Sequence, residues 1–172
     1  MIQRFTFGCP LPTESVVLPV EPAAAAVPHL TAEPDGSWSF SLAEDAVVYG
    51  LGEMPRGINK RGWHYVADNT DESHHGENRL SYYGAHNFLL IDGGAGRSVF
   101  GVFVDFPGKV FYDIGYTRHD RLTFRTEEPD YDLYILTGDS PNAVCTEFRK
   151  LIGHSYIPPK WAFGFAQSRW GY

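Results

Sequence analysis

Between Ser37 and Leu42 the chain reads Ser-Trp-Ser-Phe-Ser-Leu, a strict alternation of small polar and large apolar side chains. Successive side chains of an extended backbone point to opposite faces, so Trp38, Phe40 and Leu42 share one face and the serines share the other. This pattern commits the segment to a strand buried on one side. It is the clearest member of a series. Residues 2–7 carry Ile2, Phe5 and Phe7, and short apolar runs recur over 16–20, 45–50, 63–67, 87–91, 98–104, 109–113, 121–125 and 130–136. Many short strands separated by turn-forming stretches specify two packed sheets, so a mainly β fold, a β-sandwich, is expected.

Aromatic residues form 15% of the chain, beside 18 glycines and 12 prolines, which favours strands and turns over helices. One helix stands out. Ser140 caps it, Pro141 fits its first turn, Gly153 ends it, and Val144, Phe148, Leu151 and Ile152 fall on one face. Residues 21–34 read as a loop broken by Pro22 and Pro28, and Met54 to Arg79 as a long polar loop interrupted by the strand at Trp63 to Ala67. Gly93-Gly94-Ala95-Gly96 lacks the Lys-Ser/Thr ending and following helix of a phosphate loop, and reads as a hairpin connection.

At 172 residues the chain suits one domain with a real core. Residues 1–157 are expected to form that domain. Pro158 and Pro159 then break the chain, and Trp161 to Phe165 is aromatic and uncharged, as a buried strand would be. Residues 158–172 are therefore expected to be a linker and the first strand of a second unit that continues past Tyr172.

A formal charge of −7 without a cluster of Lys and Arg excludes a nucleic-acid partner. Cys9 and Cys145 are too few and too far apart for a disulfide framework or a metal knuckle, and read as free thiols of a reducing compartment. The N-terminus lacks the apolar run of a signal peptide, and no segment reaches the ~18 apolar residues of a membrane span, so a cytoplasmic protein without a membrane partner is expected. His64, His74, His75 and His86, with Asp68, Asp71, Glu72 and Glu77, match no zinc or calcium spacing and read as a solvated loop. No metal and no cofactor is expected. Glu53 reads as an acceptor for backbone N–H groups, and His86 as a hydrogen-bonded prop for its loop.

Three segments carry a resemblance. Pro158-Pro159-Lys160-Trp161-Ala162-Phe163-Gly164-Phe165 through Arg169-Trp170-Gly171-Tyr172, Tyr49-Gly50-Leu51-Gly52-Glu53, and Tyr83-Gly84-Ala85-His86-Asn87-Phe88 resemble, in order and rough spacing, the N-terminal region of glycoside hydrolase family 31. Asn69-Thr70-Asp71 fits as well. The resemblance covers about residues 45–172. It implies a β-sandwich of the galactose mutarotase-like type, with one C-terminal helix, handing over to a (β/α)8 catalytic barrel. It also implies a lineage of retaining α-glucosidases, whose two carboxyl groups sit on barrel strands beyond this chain. The chain alone is thus expected to be a non-catalytic N-terminal domain, with no catalytic residue of its own.

The resemblance implies that Asp71 reaches over the sugar pocket of the barrel, and that Trp170 and Arg169 lie at the end of the first barrel strand, facing it. A carboxylate accepts hydrogen bonds from two adjacent hydroxyls, an aromatic face stacks on a pyranose ring, and an arginine pairs with a carboxylate. Read from residues alone, Asp71 is as readily a solvated loop carboxylate, Asp68 is as eligible, and Trp170 is as readily core. The expected partner is an α-glucoside or oligosaccharide, bound together with the barrel. An autonomous carbohydrate-binding module is the alternative. An assembly protein that forms homo-oligomers through an apolar barrel-facing surface is a third reading.

Overall fold

A computed structural model describes residues 1–27, 29–94 and 98–167. Ten strands form two antiparallel five-stranded sheets. The first sheet has the order β1 (Ile2–Phe7), β10 (Tyr131–Gly138), β7 (Val99–Asp105), β6 (Ala85–Asp92), β4 (Val47–Gly52). The second has the order β2 (Leu30–Ala32), β3 (Trp38–Ser41), β9 (Arg121–Thr126), β8 (Val110–Ile114), β5 (Trp63–Ala67). Between them lies a core that includes Phe40, Val48, Tyr65, Leu89, Ile91, Val102, Ile114, Leu122, Phe124 and Leu133.

The two sheets differ in what covers their outer faces, and the sequence periods say why. In β8 and β9 every second residue is buried, as expected for strands with one dry face. In β10, Tyr131 to Leu136 is buried throughout. Tyr131, Leu133 and Ile135 point into the sandwich, whereas Tyr134 and Leu136 point outward into a second cluster with Leu90, Phe103, Val144, Phe148 and Leu151. The cover is the helix α1 (Pro141–Ile152), whose buried face is Val144, Phe148 and Leu151. Ser140 caps it, its hydroxyl accepting the Ala143 N–H at 3.2 Å, and Pro141 occupies its first turn. Full burial of a side chain such as Leu151 stabilises by about 1.5–3 kcal/mol, which is what holds so short a helix in place.

Three segments depart from the sequence expectation. Residues 16–20 form no strand. They are a strap across the end of α1, where the Val17 and Leu18 amides both donate to the Leu151 carbonyl (2.9 and 3.2 Å) and so satisfy one of the carbonyls a helix end leaves open. Within 21–34, expected to be loop, Leu30–Ala32 pairs with β3. Trp161 to Phe165 holds a 3-10 turn (Lys160–Phe163) rather than a strand, and Trp161, Phe163 and Phe165 are 81%, 76% and 95% exposed. A strand needs a neighbour to satisfy its ladder, and this segment has none among the described residues.

The Gly50-Leu51-Gly52 motif interrupts the register of β4 against β6. All three residues have positive φ (122°, 67° and 71°), and Leu51 is wholly buried in that conformation. A Cβ on Gly50 would stand 2.2 Å from the Phe88 carbonyl oxygen, and one on Gly52 2.2 Å from that of Gly84. The glycines therefore let the bulge press onto β6, and the Glu53 amide donates to Gly84 O at 2.8 Å.

Candidate functional site

The polar stretch between β5 and β6, residues 68–84, folds back on itself instead of wandering. Val66 N–H donates to Leu80 O (3.1 Å) and Thr70 N–H to Tyr82 O (3.0 Å), which ties the outgoing limb to the returning one. The Asp68 carbonyl accepts the Thr70 and Ser81 hydroxyls at 2.7 and 2.6 Å. Asn69 Oδ1 accepts the Ala85 N–H at 2.6 Å and so fastens the loop to the first residue of β6. Farther out, the Arg79 guanidinium meets Glu72 at 3.0 Å, the Tyr82 hydroxyl donates to Gly76 O at 3.0 Å, and the His75 ring packs 4.8 Å from Tyr82 and 5.4 Å from Tyr83. Such a compact loop presents its side chains from a fixed frame.

Within that frame the two neighbouring carboxylates separate. Asp68 is half-buried and paired with the Lys109 ammonium at 3.2 Å, so it anchors the loop to the β7–β8 turn. Asp71 is exposed, and the nearness of its carboxylate to the Tyr83 hydroxyl holds that phenol above its ordinary range. Tyr83 is 45% exposed; it enters the sequence reading only as the first residue of the Tyr83–Phe88 motif, and nothing in the spacing of residues 71 and 83 signals their proximity. Arg169 and Trp170 lie outside the described residues.

The start of β6 is flanked by two hollows. One, of about 630 Å³, is lined by Asp68, Asn69, Asn87, Asp105, Lys109 and their neighbours. The other, of about 450 Å³, lies between the glycine bulge, His86 and Phe148. Burial pushes the Asp105 carboxyl up, against the hydrogen bond it accepts from Thr13 at 2.6 Å. His86 is exposed by surface area, yet its ring lies 6.0 Å from that of Phe103 and 5.4 Å from that of Phe148. These apolar neighbours desolvate the imidazole and lower its pKa. Its contacts are aromatic, where the sequence suggested a hydrogen-bonded prop.

Two antiparallel sheets, a helix over one of them and a fixed polar loop beside β6 define a β-sandwich domain. The family model for the glycosyl hydrolase 31 N-terminal galactose mutarotase-like domain matches residues 21–113, and the chain belongs to that family. Alpha-glucosidase 2 of Bacillus thermoamyloliquefaciens is 33% identical over 136 residues, covering 77% of this chain and 17% of the relative. Alpha-xylosidase XylQ of Lactiplantibacillus pentosus is 30% identical over 125 residues, covering 73% and 15%. The glucose complex of the Flavobacterium johnsoniae GH31 dextranase superimposes with a TM-score of 0.67 at 25% identity, covering 82% of this chain and 17% of that one. The chain thus spans about a sixth of the length of these relatives, at the position of their N-terminal domain. Among the described residues, no helix is long and apolar enough to cross a membrane.

Proposed function

We propose that this domain braces the catalytic barrel of a retaining α-glucosidase-like hydrolase and lends the 68–84 loop to its sugar pocket. The observation that carries the reading is the Asp71 carboxylate, exposed beside Tyr83 on a loop fixed at both ends. In that role Asp71 accepts hydrogen bonds from two sugar hydroxyls, and Arg169 and Trp170 complete the pocket from the barrel side. The two reacting carboxyl groups belong to the barrel, so the domain positions substrate and performs no bond cleavage. The substrate class is an α-linked glucoside or oligosaccharide, in line with the names of the α-glucosidase and the dextranase among the relatives, whereas XylQ is named an α-xylosidase. The exposed aromatic segment from Tyr156 to Phe165 is the docking surface for the barrel, and a route to self-association when the barrel is missing. Cys9 and Cys145, both exposed and unpaired, suit a cytoplasmic setting.

The test is a chimera in which residues 1–172 replace the matching domain of the Bacillus α-glucosidase. Asp71→Asn in that chimera should reduce kcat/KM for maltose by roughly ten- to a hundredfold, the worth of one or two hydrogen bonds to a charged acceptor. Unchanged kcat/KM would remove Asp71 from the pocket. Glucose release by residues 1–172 alone would overturn the whole assignment.

A further inference from the structure

A groove of about 510 Å³ lies on the outer face of the second sheet and shares no lining residue with the hollows beside β6. Its floor follows from strand register. Phe111 on β8 faces Arg125 on β9, Asp113 faces Thr123, and His64 on β5 faces Asp113 from the other side. These residues alternate with the buried Tyr112, Ile114, Leu122 and Phe124, so the register places all of them on the outward rows. The helix covers the other sheet, which leaves these rows open to a ligand.

Several of the groove's polar groups are already held in place. Arg121 is ion-paired with Glu33 and reaches the Ser39 hydroxyl at 3.0 Å. Ser39 in turn donates to Glu33 at 2.6 Å. Asp113 accepts the Tyr116 and Thr117 amides at 2.9 and 3.2 Å. Asp35 accepts the Ser37 amide and hydroxyl at 3.0 and 2.6 Å. The Arg125 guanidinium sits over the Phe111 ring, 4.4 Å from its centroid, and the ring of the lining residue His64 packs 4.4 Å from that of Tyr116, which is 56% exposed. Side chains fixed before binding lose little entropy when a ligand arrives.

The charge balance selects the ligand. Arg118, Arg121 and Arg125 face Glu33, Asp35 and Asp113, three cations against three anions, so the groove is close to neutral inside an acidic protein. An ionic ligand gains little there. A neutral polyhydroxylated chain gains much: carboxylates to accept its hydroxyl protons, guanidinium N–H groups to donate to its oxygens, and planar surfaces at Tyr116 and at the Arg125–Phe111 stack for its C–H faces. We infer that this groove is a non-catalytic binding site for a neutral oligosaccharide, separate from the Asp71 loop and independent of the role proposed for that loop.

Titration calorimetry of residues 1–172 with maltotriose and with isomaltotriose tests this. Saturable binding is expected to at least one sugar, weakened about tenfold or more by Arg125→Ala and by Tyr116→Ala. Both side chains are surface groups, and circular dichroism of each variant checks that the sandwich persists. Asp71→Asn should bind as the parent does. Absence of saturable binding to either sugar overturns the proposal. So does binding that survives both groove substitutions, or binding lost in Asp71→Asn alone, which would move the sugar to the loop.

Discussion

Removing the Phe148 side chain should loosen the helix face and retune a histidine at one stroke. Phe148 is 9% exposed and stacks on Phe88 with ring centroids 3.9 Å apart and planes 7° from parallel. Its edges meet Phe103 and His86, each at 5.4 Å. Replacing a buried Phe by Ala costs about 3–5 kcal/mol, the transfer term plus the cavity left behind. The ring borders an open hollow that water or neighbouring side chains can fill, so the lower end, about 3 kcal/mol, is expected. In urea, with a slope of about 2 kcal/mol/M, the unfolding midpoint should fall by about 1.5 M with the slope unchanged.

The second readout is His86. Its folded pKa lies below the ordinary 6.5 because its apolar neighbours penalise the imidazolium. The unfolded chain therefore takes up the proton first as pH falls. Stability is fully present above 6.5 and declines as pH drops from there through the folded value. In Phe148→Ala water reaches the ring, the pKa should climb back toward its ordinary value, and this acid-side decline should shrink. Equilibrium unfolding across pH, with the His86 ring proton followed by NMR, measures both. A loss under about 1 kcal/mol together with an unmoved His86 titration would refute the packing described for this face.

Other outcomes follow from single contacts. Gly50→Ala should destabilise by at least about 2 kcal/mol in the same urea assay, since the new methyl meets backbone at 2.2 Å and the residue keeps positive φ. Ser140→Ala should cost about 1 kcal/mol by the same measurement, through the N-cap alone. Asp71→Asn should bring the Tyr83 phenol down toward its ordinary value, seen in a phenolate absorbance titration, because the carboxylate that opposes its ionisation is gone.

The strands were legible where a period of two met a clear turn. The expected strand over 63–67 coincides with β5, and those over 121–125 and 130–136 fall short of β9 and β10 by only a residue or two. The helix was legible from Ser140, Pro141 and Gly153, because caps are local chemistry. The strap over 16–20 misled: Val16, Val17, Leu18 and Val20 are β-formers, but Pro19 withholds an amide and the partner of this stretch is a helix carbonyl rather than a sheet edge. The aromatic run at 161–165 misled for a related reason, since propensity cannot supply a neighbouring strand. At the site, Asp71 stood out by its motif, but its distinction from Asp68 did not. That distinction depends on Lys109, forty-one positions downstream of Asp68, and on Tyr83 across the loop. The groove on the second sheet was invisible for the same reason: Phe111 and Arg125 become neighbours only through register.

β1 is joined to the rest of its sheet through β10 alone, Ile2 opposite Leu136 and Phe7 opposite Tyr131. The partner of β1 is therefore the last of this domain's described strands to be made. Until residues 131–138 emerge, residues 2–7 lack their ladder partner and meet only the short bridge of Arg4 with Pro22 and Ala23, leaving them open to pairing with another nascent chain. Crowded polysomes and high expression rates should accordingly favour aggregation of this domain, and slowing translation should not cure it, because delay lengthens the wait.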